Sequence, residues 1–449
     1  MEVLSLDEVA RAVGGELSGP NNLIQGVSID SRTIGPGELF VAIRGPRFDG
    51  HGFIDQAIAR GAKGVVYAGS GRPSDGRTGM IGTPDSLLAL QDLARHYRRR
   101  FCPRMVCITG TNGKTTVKEM IAAVLSSSCR VLKNQGNLNN QYGLPLSLLN
   151  LGSDHDAAVL ELGMSAPGEI AQLCRMAEPE IGVVTNVGQG HTLQLKSVQA
   201  VAQAKGELLE ALPPSGLAVV NGDDYNVMAQ CARTRARVVT FGQGPQCQYR
   251  PDEIILEPEG TSFSVMGHRV TLRQLGLHNV TNSLAALAVG RELGVGVAEA
   301  ARELSRLEPV PMRLEMIRAG RYTIINDCYN ANPPSMRAAL ETMRSLKSTG
   351  RKVAVLGDML ELGDTERESH FEIGRLAAEI CSLTLAAGPL SEEICRGVSS
   401  AGGNGSYFGD RGSLAEKLKE TLLPGDLVLV KASRGMHFEE IVNSIKELG

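Results

Sequence analysis

The stretch best equipped for chemistry is a hydrophobic run, MVCIT, that enters Gly110-Thr111-Asn112-Gly113-Lys114-Thr115-Thr116 and continues into a helical pattern, VKEMIAAVL. Glycines let a backbone fold its N–H groups toward a phosphate, and the helix that follows offers the positive end of its dipole there. Lys114 is placed to reach β- and γ-phosphates, and the Thr115 hydroxyl to ligate Mg²⁺. The longer form of this loop carries a glycine five positions before the second one, where this chain has Ile108, so this is a short variant. A glycine turn that merely caps a helix is the plain alternative.

Outside the loop, several side chains are of types that could take part in chemistry. Glu161 ends the apolar run AAVLE, and open α/β sheets bind ligands at the carboxyl ends of their strands. A carboxylate there can hold Mg²⁺ between phosphates, or can simply be a cap or a surface charge. His191 follows IGVVTNVGQG and on residue type alone is an ordinary loop histidine. Lys205, in QAKGELL, has donors and no lone pair as an ammonium, so it binds metal only if its chemistry is changed. Asn137 and Asn140 sit in GNLNNQYG, a composition equally at home in turns.

The elements that must hold these residues read as α/β throughout. Ser5 with Glu8 forms a capping box for a helix DEVARAV, which ends at Gly14-Gly15. Strand-like runs LIQGVSIDSR and ELFVAIRG, then FIDQAIARGAKGVVYAG, complete a compact unit. A charged helix from about Ser86 to Arg100 leads out of it. Its basic run RHYRRR reads as a solvated linker face, and Pro103 stops it. Strands MVCITG, AAVLELG, IGVVTNV and LAVVNG alternate with helices starting near Thr115, Pro167 and Ser197, which implies a parallel sheet with crossover helices. EIILEPEGTSFSVMGHRVTL switches toward period two and predicts a hairpin appended to that sheet. NVTNSLAALAVGREL is helical, and the Pro309/Pro311 pair closes the unit. A third α/β rhythm follows through YTIINDCYN, KVAVLGDM, LTLAAG, SYFGD and DLVLVKAS. The expected division is an N-terminal domain over 1–85, a linker helix over 86–103, a central nucleotide-binding domain over 104–312 and a C-terminal Rossmann-like domain over 313–449.

Composition narrows the partners. The chain has 449 residues, a prior of about three domains, and its formal charge of −3 provides no basic field for nucleic acid. No apolar run approaches the roughly 18 residues of a membrane helix, and the acidic start MEVLSLDEVARAVGG lacks the basic region of a signal peptide. Nine cysteines without a CxxC pair fit neither a disulfide framework nor a zinc site. A reduced, cytoplasmic enzyme, monomeric and without membrane insertion, is the expectation.

Ten stretches then occur in one order: SIDSRTIGPGELFVAIRGPRFDGHGFI, GNLNNQYGLPLSLL, ELGMSAPGEI, TNVGQGHTL, AKGELL, GLHNVTNSLAALAV, MRLE, NDCYNANPPSMRAAL, LGDMLELG and KASRGMHFEEI. With the short GTNGKTT loop they resemble, across essentially the whole chain, the Mur ligase superfamily, ATP-dependent amide-bond formers of bacterial wall synthesis. The resemblance implies three domains, ATP and one or two Mg²⁺. It implies that Glu161, His191 and Lys205 are metal-site and catalytic residues with Thr115 and Lys114, and that Lys205 is carbamoylated. It implies nucleotide contacts from Gly110–Thr116, Asn282 and Arg313, a ribose contact from Asp327 and an adenine contact from Asn330. Ser31 and Arg32 would hold the uridine diphosphate of a wall precursor. Arg47, Phe48, Asp49 and His51 would line its peptide end, and Asn137 and Asn140 would orient the acceptor stem. DCYNANP, without a following histidine, and LGDMLELG favour the branch that joins D-alanyl-D-alanine to a UDP-N-acetylmuramoyl-tripeptide. The branch adding the third residue, which commonly carries D-N-P-R, and the folylpolyglutamate synthetases are the alternatives.

Overall fold

The computed structural model describes residues 1–45, 48–189, 192–257 and 260–448. Helix α1 (Leu6–Ala12) is capped by Ser5, whose hydroxyl accepts from the Glu8 N–H. The reciprocal half of the expected capping box is absent, because the Glu8 carboxylate pairs with His96 (3.1 Å) and Arg100 (3.8 Å) instead. Five short strands after it form one sheet, β1 (Glu16–Ser18), β2 (Val27–Ser28), β3 (Leu39–Ala42), β4 (Gly64–Ala68) and β5 (Gly79–Thr83), ordered β1-β5-β4-β3-β2, with helix α2 (Ile54–Ala59) between β3 and β4.

Helix α3 (Ser86–Arg98) buries Ala89, Leu90, Leu93, Ala94 and Tyr97 in a core that runs without a break from the first unit into the next. Its basic end is not the solvated face expected of RHYRRR. Arg95 and Arg99 pair with Glu178, and Arg98 donates to the carbonyls of Ala177 (3.0 Å) and Glu178 (3.3 Å). Those carbonyls close a later helix, so the arginines meet the negative end of its dipole.

The central sheet is built from β6 (Arg104–Thr109), β7 (Val131–Lys133), β8 (Ala157–Glu161), β9 (Ile181–Val184), β10 (Leu217–Asn221) and β11 (Arg237–Phe241), ordered β11-β10-β9-β6-β8-β7 and wholly parallel. Strands β8, β9 and β10 are buried at every residue, which is why they read as continuous apolar runs. The connecting helices include α4 (Lys114–Leu125), α5 (Gly143–Leu148), α6 (Glu169–Ala177) and α7 (Val198–Glu210). The period-two segment forms three strands, β12 (Ile254–Glu257), β13 (Gly260–Val265) and β14 (His268–Leu272), in an antiparallel sheet of their own rather than an extension of the central one. Phe263, Val265, Val270 and Leu272 bury one face of it in the core that holds α8 (Leu277–Glu292) and α9 (Val297–Arg306).

The last sheet comprises β15 (Glu315–Ala319), β16 (Tyr322–Asn326), β17 (Lys352–Gly357), β18 (Leu383–Ala387), β19 (Gly405–Phe408) and β20 (Leu427–Lys431), ordered β15-β16-β20-β17-β18-β19. Only β15 runs antiparallel. Helix α10 (Pro333–Ser345) starts with prolines at its first positions and a capping box between Asn332 and Ser335.

Candidate active site

Strand β6 delivers the glycine loop to the start of α4. Gly113 stands at the N-cap with φ 82°, and no side chain caps the helix, so the first N–H groups of α4 face an approaching anion. A Cβ on Gly113 would stand 2.6 Å from Asn282 Oδ1, and one on Gly110 only 1.8 Å from Thr185 Oγ1. Both positions therefore require glycine. The loop is held from below by Asn186, whose side chain accepts from the Asn112 N–H (2.9 Å) and donates to the Asn112 carbonyl (3.0 Å), with Thr185 Oγ1 donating to the same carbonyl (2.6 Å). Lys114 Nζ lies in the mouth of the loop, donating to the carbonyls of Gly110 (2.8 Å) and Thr111 (3.1 Å). Burial lowers its pKa, against the pull of the nearby Glu161 carboxylate.

Glu161 is buried at the end of β8, and its Oε2 accepts from the Thr115 hydroxyl at 2.7 Å. Oε1 accepts from Asn139 Nδ2 at 2.8 Å. Asn134 clamps the Glu161 backbone from both sides, accepting from its N–H (2.9 Å) and donating to its carbonyl (3.0 Å). The carboxylate is thus aimed at Thr115.

Lys205, on α7, is buried in the same cavity, and its pKa is lowered well below the usual lysine value, by desolvation first and by the Lys114 charge second. Among the described residues no carboxylate lies within 4 Å of its Nζ. His191 lies outside the described residues. Asn282, on α8, is buried and donates to Asn279 Oδ1 at 3.0 Å.

The third unit closes over the loop. Arg313 Nη2 donates to Thr115 Oγ1 at 3.1 Å, and its guanidinium stacks on Tyr329, 4.1 Å from the ring centroid. Asn112 and Asn332 exchange two amide hydrogen bonds, of 3.1 and 2.8 Å, across 220 positions of sequence. Asp327 accepts from Lys431 Nζ (2.6 Å) and from the Leu314 N–H (3.2 Å). Lys431 also donates to the Asn330 carbonyl (2.8 Å). One cavity of about 760 Å³ is bordered by Thr111 to Thr116, Asn140, Glu161, Lys205, Asn282, Arg313, Asp327 and Asn330. Its size is that of a nucleotide-scale pocket.

Of the described residues expected at the far substrate end, Asn140 alone borders this cavity. Ser31 is buried and donates to Gln56 Oε1 (2.8 Å), and Arg32 pairs with its neighbour Asp30. Asp49 caps the turn at His51 and pairs with Arg44 and His51, while His51 Nε2 accepts from the Ala68 N–H (2.8 Å). Phe48 is exposed, and Arg47 lies outside the described residues. Asn140 borders the cavity but also caps α5, accepting from Tyr142 and Gly143 N–H groups. Asn137 does not border it.

The structure adds site residues that residue-type reasoning passed over: Asn139 and Asn134 on Glu161, Asn186 under the loop, Asn332 opposite Asn112, Tyr329 under Arg313 and Lys431 on Asp327. Asn139 carried a signal, standing between the two asparagines chosen from GNLNNQYG, and Lys431 is a charge closing the apolar run LVLVK.

Comparison with known proteins places this geometry. Residues 108–290 match the Mur ligase middle domain, 312–434 the Mur ligase glutamate ligase domain, and 23–98 the Mur ligase family catalytic domain. The UDP-N-acetylmuramoyl-tripeptide–D-alanyl-D-alanine ligase of Bacillus subtilis (strain 168) is 39% identical over 453 residues, covering 99% of this chain and 98% of the relative. A crystal structure of MurF from Acinetobacter baumannii superposes with a TM-score of 0.91 at 29% identity, covering 100% of this chain and 99% of that one. MurF ligase from Thermotoga maritima, solved in complex with ADP, gives 0.84 at 29% identity over 94% of this chain and 97% of that one.

Proposed function

This chain belongs to the Mur ligase family, and from that premise we propose that it is the ATP-dependent ligase that joins D-alanyl-D-alanine to a UDP-N-acetylmuramoyl-tripeptide, making the pentapeptide precursor of peptidoglycan. The observation that carries the reading is the meeting of two units on one phosphate site: Arg313 of the third unit donates to Thr115 of the loop, and both border one cavity with Lys114, Glu161 and Asp327. A site built from two closing halves suits a reaction whose activated intermediate must be kept from water.

The tripeptide's terminal carboxylate attacks the γ-phosphorus of ATP, the bond to the β-phosphate oxygen breaks, and ADP leaves behind an acyl phosphate. The D-alanyl-D-alanine amine then attacks the acyl carbon, loses a proton, and inorganic phosphate departs. Phosphoryl transfer asks for positioning and charge neutralisation. Lys114 and the N-terminus of α4 take the β- and γ-phosphates, Arg313 faces them from the other side, and Asn282 lies beside the loop. Asp327 takes the ribose and Asn330 the adenine.

The Thr115 hydroxyl and Glu161 carboxylate, 2.7 Å apart, are hard oxygen donors of the kind Mg²⁺ takes together with phosphate oxygens and water. Bound there, Mg²⁺ would neutralise phosphate charge, with His191 and Lys205 serving a second ion. Ser31 and Arg32 are assigned the uridine diphosphate, and Arg47, Asp49, His51, Asn137 and Asn140 the peptide stem. For Arg32 this requires exchanging Asp30 for the ligand. All nine cysteines are free, consistent with the reducing cytoplasm where ATP is abundant.

The test is phosphate release from ATP, Mg²⁺ and UDP-N-acetylmuramoyl-tripeptide. It is expected only once D-alanyl-D-alanine is added, and equal release without the dipeptide would remove the ligase reading. A second prediction concerns Lys205. Desolvation favours its neutral amine, whose lone pair can add to the carbon of CO₂, releasing a proton and creating a carbamate oxygen ligand. Protein incubated with ¹³C-bicarbonate should show a carbamate ¹³C resonance that Lys205→Arg lacks. An identical spectrum from both proteins would leave Lys205 an unmodified phosphate contact.

A further inference from the structure

Arg313 is held in an unusual way. Met312 and Leu314, on either side of it, both adopt left-handed backbone, with φ of 59° and 49°. Such conformations cost L-residues energy and persist only where the surroundings over-determine them. Here they do. Glu315 Oε2 accepts from the Met312 N–H (3.0 Å) and from Asn326 Nδ2 (2.9 Å), and Asp327 Oδ1 takes the Leu314 N–H. The Tyr329 N–H donates to the Met312 carbonyl at 3.2 Å.

The backbone kink throws the Arg313 side chain across the cavity, yet only one of its donors, Nη2, meets a described hydrogen-bond partner, Thr115. Its Nε is buried and without a partner among the described residues. A long side chain anchored at one tip would sample many rotamers. What fixes the plane of this one is the ring of Tyr329 beneath it.

We infer that Tyr329 is the positioning residue of Arg313: its ring is the platform that orients the guanidinium, so that Nη2 faces Thr115 at the start of the phosphate loop's helix. The inference rests on the reading of Arg313 as a phosphate-facing residue. The Tyr329 hydroxyl has no hydrogen bond to a described residue, so the ring face, not the oxygen, does the orienting. A guanidinium stacked on an aromatic face at this distance is held there by cation–π attraction.

The experiment is a double-mutant cycle on the full-length ligase, with kcat and KM for ATP and for D-alanyl-D-alanine measured beside thermal unfolding. Tyr329→Leu is expected to lower kcat and kcat/KM for ATP together by about tenfold, the signature of an interaction realised in the transition state, with KM for the dipeptide unchanged. Tyr329→Phe should stay within about twofold of wild type, because the ring remains. In an Arg313→Ala background, Tyr329→Leu should cost nothing further, which a merely structural tyrosine would not reproduce. Should Tyr329→Leu unfold early, Tyr329→Met takes its place in the same cycle. A crippled Arg313→Ala with an undisturbed Tyr329→Leu overturns this inference alone. So does a loss confined to KM for the dipeptide, or one equal in Tyr329→Phe. Wild-type rates in Arg313→Ala overturn the phosphate-facing reading of Arg313 and the inference with it.

Discussion

Lys114→Ala should lower dipeptide-dependent phosphate release by about a thousandfold while leaving the fold intact, since one preorganised charge contact to a transition state is worth about 2.7–4 kcal/mol. The structure separates the two effects. The ammonium's described hydrogen-bond partners are two loop carbonyls, of Gly110 and Thr111, at the edge of an open cavity where water can replace it. The loss of stability is then of the order of one hydrogen bond each, about 1 kcal/mol. The loop itself is held by Asn186 and Thr185 and does not depend on the lysine. Lys114→Arg should be nearly as damaging, because a planar fork cannot occupy the pocket of a compact ammonium. Steady-state phosphate release with calorimetric ATP binding checks both. Near-normal turnover in Lys114→Ala would mean that the phosphate site lies elsewhere. Lys205 provides an internal control: the Lys114 charge helps depress its pKa, so in Lys114→Ala the Lys205 amine should titrate higher.

What could be read from the residues depended on how local the physics was. Strands β6, β8, β9 and β10 are apolar along their length because the sheet is covered on both faces, and GTNGKTT stands where such a strand meets a helix. Both signals are contiguous. Strand β15 went unread because EMIRA is half-exposed at a sheet edge and carries neither an alternating nor a continuous apolar pattern. The basic end of α3 misled for a different reason: RHYRRR has the composition of a wetted helix, but Glu178 and the end of α6 lie some 80 positions away. In GNLNNQYG the three asparagines are indistinguishable by type. Asn140 caps α5, Asn139 reaches Glu161, and Asn137 stays outside the cavity, a choice made by which way each residue of the turn points.

The same distinction governs the partners of the third unit. Asn112 and Asn332 are ordinary in sequence, one in a glycine loop and one before two prolines, and only the docking of the units turns them into a reciprocal pair. This pair, the Arg313 contact to Thr115 and the Leu314 N–H bond to Asp327 tie together the loop, the strained segment 312–314 and the residue that follows strand β16. On the proposed assignment of the phosphate site, nucleotide binding and the docking of the third unit are coupled, because the loop and Arg313 also hold the two halves together.

Asp327→Ala should therefore damage stability and activity at once, more than any other single truncation in the third unit. Lys431, its partner, is 2% exposed and 2.6 Å from the carboxylate. With Asp327 gone, the ammonium keeps the Asn330 carbonyl at 2.8 Å and the more distant carbonyl of residue 327. A buried charge stranded in this way costs about 3–5 kcal/mol. The Leu314 N–H loses its acceptor too, and with it a restraint on the left-handed backbone that presents Arg313. Lys431→Met should be milder: it fills a similar volume, and the Asp327 carboxylate it leaves behind is 14% exposed, borders the cavity and keeps the Leu314 bond. Adding Lys431→Met to Asp327→Ala should recover much of the lost stability, since no charge is then stranded, yet none of the lost ATP use. Calorimetric unfolding and kcat/KM for ATP, measured on the three variants, check this. Equal stability of Asp327→Ala and the double variant would show that Lys431 finds water when its partner is removed, and recovery of ATP use in the double variant would place the ribose contact away from Asp327.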